Sequence, residues 1–332
     1  MSSPSTRLVA TAAAAALALA GCSSGNQSVN GTAAEPDLGS ALASLNSGTS
    51  DVTAGASTNG MSANGMSANG VSANGMSANG MSANGMSANG LTAATLGTLG
   101  FGVWFNLAPK LNDLVMKYTV RCAAPAGTTF TYYSPVTKVT YSWAGNLGVA
   151  PGWVSGHAIT TAEQQLVSAC LAAHVNKFGI SMAIAVEGRT AAGVTIPYTS
   201  TELSTYSVRE ACFFGNLFTG EGIYAGVDHG TWAASKSTPR ACAFDTRAIG
   251  TDNSCPPIFL AGYCSQLCVP DGVGYLTCSY GGKSYKALVT RISTSEISTC
   301  GDGVCAPQEQ CGTGTSWDSC QADCGVCSSS SQ

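Results

Sequence analysis

The sequence predicts an α+β domain stapled by disulfides, with a small Cys-rich module behind it and a disordered, low-complexity tether in front. Three observations carry this reading. Some segments repeat apolar residues at helical spacing, while others are runs of Thr, Tyr and Val bounded by Gly or Pro, so both element types are present. Of 15 cysteines, one stands alone at Cys22 and the rest fall into two even sets. Charged residues make up only 10% of the chain against 45% hydrophobic, and 40 residues are glycine, which suits a loop-rich exported protein.

The main domain is expected over residues 96–299, long enough to bury one core. A helix is predicted from Pro109 to Arg121, where Leu111, Leu114, Val115 and Tyr118 share a face and Pro109 suits the first turn. Thr128 to Tyr133 and Val136 to Trp143, flanking Ser134-Pro135, predict a β-hairpin. The strongest helix signal runs from Thr161 to Phe178. Thr160 and Glu163 form a capping box, Leu166, Val167, Cys170, Leu171 and His174 line the apolar face, and Gly179 ends it. Ile180 to Val186 predicts a buried strand and Ser207 to Phe218 a third helix. Tyr275 to Tyr280 and Tyr285 to Ile292, around Gly281-Gly282, predict a second hairpin.

At the other end of the chain, Arg7 precedes an apolar run from Leu8 to Ala20 and then Gly21-Cys22. That is the layout of a secretory signal over residues 1–21. Its end, Leu19-Ala20-Gly21-Cys22, resembles the lipobox of bacterial lipoproteins. The resemblance implies cleavage before Cys22 and acylation of its thiol, hence a membrane partner reached through lipid and a place in the cell envelope. Ser23 in place of an Asp favours the outer membrane or cell surface.

With Cys22 acylated, 14 cysteines remain. Cys122, Cys170, Cys212, Cys242, Cys255, Cys264, Cys268 and Cys278 belong to the domain, and Cys300, Cys305, Cys311, Cys320, Cys324 and Cys327 to the tail. Both sets are even, so each is expected to close its own bridges, in pairings that spacing cannot specify.

Residues 22–95 are rich in Ser, Gly, Asn and Ala and read as a tether. Residues 56–90 within them hold seven pentapeptides, such as Met86-Ser87-Ala88-Asn89-Gly90. Asn and Gly favour serial bends, and seven units are too few for a solenoid core.

The module over 300–332 reads Cys300-Gly301-Asp302-Gly303-Val304-Cys305, then Glu309-Gln310-Cys311, then Cys320-Gln321-Ala322-Asp323-Cys324-Gly325. It is similar to a short Cys-rich repeat at the ends of exported myxobacterial and other deltaproteobacterial proteins, departing in a longer insertion over Gly312 to Ser319. With its lipobox and Asn-Gly repeats, the whole chain resembles surface lipoproteins of that kind, which implies a location and no particular activity.

Function is less legible. The net charge of −4 includes no basic stripe, which argues against nucleic acid as a partner. Gly220-x-Gly222-x-x-Ala225 lacks the strand and acidic partner of a dinucleotide site. Gly215 to Gly230 gathers five glycines with Asn216, Glu221, Tyr224, Asp228 and His229, a segment able to approach a ligand closely. The expected function is therefore surface binding or adhesion, to a protein or polysaccharide, rather than catalysis. The alternative is a secreted hydrolase with a site near Asp228 and His229 or built on the Glu210 and Glu221 pair. A Ser-His arrangement could draw on Ser155 with His157, but no Gly-x-Ser-x-Gly elbow exists. Asp302, Glu309, Asp318 and Asp323 crowd the tail without a cation and are candidate calcium ligands.

Overall fold

A computed structural model describes residues 61–63, 86–175, 182–230, 236–238, 240, 258–306, 309, 311–312 and 319–327. All of them lie in one compact unit, Asp51–Gln332. Cys22, Cys242, Cys255, Asp318 and most of the pentapeptide array lie outside the described residues.

The folded region begins earlier than residue 96. The last pentapeptide forms a helical turn, α1 (Met86–Asn89), with Met86 fully buried. The Trp153 indole N–H donates to the Met86 carbonyl at 2.7 Å, Leu91 N–H to the Trp153 carbonyl at 2.9 Å and Ile159 N–H to the Ser87 carbonyl at 3.0 Å. Gly90 has φ of +82°, and a Cβ there would fall 2.4 Å from Gly156 Cα. Five of the seven pentapeptides read Met-Ser-Ala-Asn-Gly, so nothing within the copy that meets Trp153 distinguishes it by spelling from the copy that begins at Met61. A further repeat segment, β1 (Met61–Ala63), pairs antiparallel with β4 (Met182–Gly188).

After α2 (Ala93–Leu96), the helix α3 (Leu99–Leu107) starts at Thr98, whose hydroxyl accepts from Phe101 N–H. It is apolar on all sides, so no periodicity announces it. Next, α4 (Pro109–Ala123) begins at the expected proline, and the Asn112 side chain donates to the Trp104 and Phe105 carbonyls at the open end of α3. The predicted hairpin is β2 (Thr129–Tyr133) with β3 (Thr140–Ala144). Phe101 and Phe105 pack against its Tyr132, Tyr141 and Trp143, with ring centroids 4.7 to 5.8 Å apart.

A short turn, α5 (Pro151–Val154), leads to α6 (Thr161–Ala173), which carries the capping box in full and is bridged to α4 by Cys122–Cys170. It ends at His174, earlier than Phe178. This helix covers one face of a six-stranded sheet in the order β1-β4-β12-β5-β6-β8, built with β5 (Val208–Asn216), β6 (Gly222–Val227), β8 (Ile258–Tyr263) and β12 (Ala287–Ile292). All pairings in it are antiparallel except β6 with β8, and outside it β7 (Lys236–Ser237) pairs antiparallel with β13 (Ser298–Thr299).

The expected third helix over 207–218 is therefore wrong: it is the central strand β5. Residues 210–216 are buried on both sides, Phe213 in the core under α6 and Phe214 in a second cluster. A strand covered on both faces loses its polar alternation, so its apolar run cannot be told from a buried helix. The second predicted hairpin is also shorter than expected. Here β10 (Tyr275–Tyr280) turns at Gly281-Gly282 and pairs with β11 (Lys283–Tyr285), after which β12 crosses into the large sheet.

The opposite face is covered by the small sheet β11-β10-β9, with β9 spanning Cys268–Pro270. Cys212–Cys264 and Cys268–Cys278 sit in this second cluster, with Cys212 Sγ 3.5 Å from Cys268 Sγ. Gly226 is required beneath them, since a Cβ there would lie 2.8 Å from Cys212 Sγ. The tail closes on itself through Cys300–Cys320, Cys305–Cys324 and Cys311–Cys327.

Candidate functional site

The carboxylates expected to do two-carboxylate chemistry are not together. A β-bulge opposite Thr290 and Arg291 turns Glu210 toward the core, where it is fully buried. There Arg240 Nε donates to Glu210 Oε1 at 3.1 Å and the Thr290 hydroxyl donates to Oε2 at 2.7 Å. Arg240 is equally buried, and its Nη1 donates to the Val175 carbonyl. Glu221 lies near the far end of β5, in the turn to β6, paired with Lys283 at 3.2 Å. Six residues of strand separate the two ends, roughly 20 Å, well beyond the roughly 5 to 9.5 Å that a glycosidase pair uses.

Asp228, by contrast, belongs to an alternating-charge network across four elements. Glu187 on β4 meets Arg291 on β12 at 3.3 Å. Glu187 also lies 3.9 Å from Arg209 on β5, whose Nε stands 2.7 Å from Asp228 Oδ2. That last contact is an ion pair by distance rather than by alignment, because the N–H is not aimed at the oxygen. The Tyr275 hydroxyl from β10 donates to Asp228 Oδ1 at 2.6 Å, and the Arg209 guanidinium lies over the Tyr275 ring at 5.3 Å.

Burial raises the Glu187 carboxyl above its ordinary range, opposed by Arg291 and Arg209. The Tyr275 hydroxyl is raised well above the phenol range by burial and by its bond to Asp228, so it stays a donor. His229 follows Asp228 and is nearly buried, with Nδ1 2.7 Å from the Gly230 carbonyl.

A cleft adjoins this network, lined by Arg189, Asp271, Tyr275 and Lys286 over an apolar floor of Leu166 and Ala287. Arg189 Nε donates to Asp271 Oδ2 at 2.8 Å. Backbone N–H bonds from Gly274 and Val273, with Arg189, hold the Asp271 carboxyl below its usual range against the opposing effect of burial. On the same small-sheet side, Tyr224, Tyr280 and Phe259 form a half-buried aromatic cluster with centroids 4.7 and 5.4 Å apart. Tyr224 donates to the Glu221 carbonyl, and burial first, then Tyr224 and Glu221, pushes the Tyr285 hydroxyl up to about 12.

Among the residues singled out in Gly215 to Gly230, the structure thus unites Asp228 with a charged network and Glu221 with the aromatic cluster. The segment itself spans the turn and second strand of the β5–β6 hairpin in the main sheet. Sequence reasoning missed Glu187, Arg209, Arg291 and Tyr275. The signal was present as single charges within strands that are otherwise apolar, such as Arg291 in Ala287–Ile292.

Elsewhere, Ser155 Oγ and His157 Nδ1 do meet at 3.2 Å, but both are exposed and the Ser155 hydroxyl donates to the Gly152 carbonyl. Glu163, the nearby carboxylate, is occupied by Thr160 and by Trp153 N–H, so it does not serve as the third group that would orient the pair. The Cys and His groupings close enough to hold a metal among the described residues all contain cysteines already in S–S bonds. In the tail, Asp323 accepts backbone N–H groups from Gly301, Asp302 and Gly303, and Asp302 accepts from Val304 N–H. These carboxylates hold loops, a role that sequence reasoning had not assigned.

No family model, curated protein or solved structure matches this chain.

Proposed function

We propose that the protein is a lipoprotein of the bacterial cell envelope, anchored through acylated Cys22, whose α+β domain is a binding module for a surface polysaccharide. The Ser/Gly/Asn-rich stretch ahead of Met86 serves as its tether. The lipobox Leu19-Ala20-Gly21-Cys22 and the six described disulfides support an exported, anchored protein.

The observation that carries the binding reading is the cleft at Tyr275. Charged side chains line it over an apolar floor, and its Tyr275 also meets Asp228 and a partly exposed Arg209, while a half-buried aromatic cluster stands further along the same strand at Tyr280. Aromatic faces with fixed donors and acceptors suit a hydroxyl-rich, partly anionic ligand. The hydrolase reading is weaker at Glu210, because its carboxylate is enclosed with Arg240.

Calorimetric titration of envelope polysaccharides into the mature chain carrying Cys22→Ser tests the reading. We expect binding that Lys286→Ala and Arg189→Ala each weaken, without turnover of the glycan. Equal affinity in both variants, or release of reducing ends that His229→Ala abolishes, would overturn it. For the anchor, Cys22→Ala in cells should move the protein out of the detergent phase.

A further inference from the structure

The helix α3 uses only one of its apolar faces. Phe101, Trp104 and Phe105 are buried against the hairpin, while Leu99, Val103 and Leu107, four residues apart, are exposed by 84%, 56% and 79%. This second face forms one row along the helix. It continues onto the β2–β3 hairpin. Asn106 Nδ2 donates to the Tyr132 hydroxyl at 3.0 Å, and the Ser134 hydroxyl donates to Asn106 Oδ1 at 2.5 Å, so the hairpin turn is fixed beside the end of the row. On that hairpin Tyr133, Val136 and Val139 are also exposed, by 55%, 67% and 47%. Tyr133 alternates with the α3-facing Tyr132 and so lies on the other face of β2, which leaves five large apolar side chains on adjoining elements, still more than the scattered apolar residues of an ordinary surface.

The charges around the row have one sign. Lys110 follows Leu107 by less than one turn, Lys138 stands at the hairpin turn, and both are exposed. Across residues 86–150 the only acid is Asp113, and its Oδ1 already accepts the Trp143 indole N–H at 2.7 Å. An apolar strip with basic flanks and no exposed carboxylate of its own matches an anionic lipid surface. A protein partner would be expected to meet hydrogen-bonding groups on such a face, and the exposed stripe of α3 offers only alkyl groups.

The geometry points to a peripheral membrane contact: α3 and the β2–β3 turn insert Leu99, Val103, Leu107 and Val136 into the interface of an anionic bilayer, with Lys110 and Lys138 on the headgroups. This contact does not depend on the acyl chain, and the acyl chain alone would not orient the domain. Acting together, the two anchors would hold the domain against the surface.

Co-sedimentation of the full mature chain carrying Cys22→Ser, and so lacking the lipid, separates the two. Vesicles of phosphatidylglycerol with phosphatidylethanolamine are compared with phosphatidylcholine. We expect partitioning onto the anionic vesicles that falls about tenfold or more in Leu99→Ser/Val103→Ser/Leu107→Ser, whose sites are exposed and leave the core intact. Lys110→Glu with Lys138→Glu should weaken binding to anionic vesicles while leaving the phosphatidylcholine value unchanged. Partitioning that the triple serine variant does not alter would overturn the proposal. So would sedimentation equilibrium showing a dimer that the same variant dissociates, since the strip would then be a face between two copies. Failure of acylation at Cys22 in cells would leave this measurement untouched.

Discussion

The domain and the Cys-rich tail are both bridged, yet they are ordered by different physics. In the domain, Trp143, Trp153, Tyr118, Phe101, Phe105 and Phe213 are fully buried, and the disulfides Cys122–Cys170, Cys212–Cys264 and Cys268–Cys278 lie inside apolar clusters. In the tail, Val304 and Val326 point to solvent at 64% and 75% exposure. Among the described residues of the tail, order comes from three bridges and from carboxylates that accept backbone N–H groups. The same covalent bond therefore reinforces packing in one region and replaces it in the other.

Reduction gives the largest separation between the two. The tail bridges close loops of 16 to 20 residues, each contributing about 3 kcal/mol through the unfolded chain, and among the described residues of the tail the valines do not pack behind them. Under native conditions with excess dithiol, amides over 300–327 should exchange freely while those of β5 and β12 stay protected. Protection that persists in the reduced tail would break the contrast.

The next effect belongs to the domain alone. Removing the Glu210 charge strands Arg240, whose side chain is fully buried, at a cost of about 3 to 5 kcal/mol. Glu210→Gln should lower the unfolding free energy from denaturant titration by that amount, and the Glu210→Leu/Arg240→Met pair should recover much of it. A neutral Glu210→Gln would mean that water reaches the pair.

How far the sequence disclosed these features follows the range of the signal. Pro109, the Thr160–Glu163 box and the Gly281-Gly282 turn are local devices, and the elements they mark are present. Burial on both sides erased the alternation in β5, and a second apolar face hid α3. The charged network could not be read, because Glu187, Arg209, Asp228, Tyr275 and Arg291 are neighbours only after the sheet is assembled. Nor could the fate of the repeats, since the copy at Met61, which pairs with β4, is spelled like the copy at Met86, which packs on Trp153.

Acid should weaken the domain through His174. This ring is buried, its Nδ1–H donates to the Cys170 carbonyl at 2.7 Å, and Nε2 has no hydrogen-bond partner. Burial lowers its pKa to about 3, with Arg121 and Arg240 adding to the effect and the Cys170 bond opposing it. The folded state thus prefers the neutral ring. Its contribution is fully present above the unfolded value near 6.5 and is lost as pH falls from there toward 3. Between pH 7 and 5 the loss approaches about 2 kcal/mol. The pH dependence of the unfolding free energy should flatten in His174→Gln, and an unchanged slope would show that another group titrates there.

The smallest expected effects lie in the tail and concern calcium. Asp323 accepts from Gly301, Asp302 and Gly303 at 2.6, 3.3 and 2.9 Å, and Asp302 accepts from Val304 at 2.9 Å. Donor hydrogens aimed at those oxygens occupy the lone pairs that a cation would need. Glu309 gives one oxygen to Ala306 N–H and keeps the other buried without a partner. Among the described carboxylates, Asp302 Oδ2 and that Glu309 oxygen are left without a donor, two against the six to eight oxygens that calcium gathers. Titration of the oxidised chain with millimolar calcium should therefore give no heat and no change in tail protection. Asp323→Ala, which unties three N–H groups, should by contrast cost about 1 to 3 kcal/mol and speed exchange at 301–303 in the presence or absence of calcium. If calcium instead raised protection, and Asp323→Ala removed only that increment, the carboxylates would be ligands and the tail would be ordered by an ion as well as by its bridges.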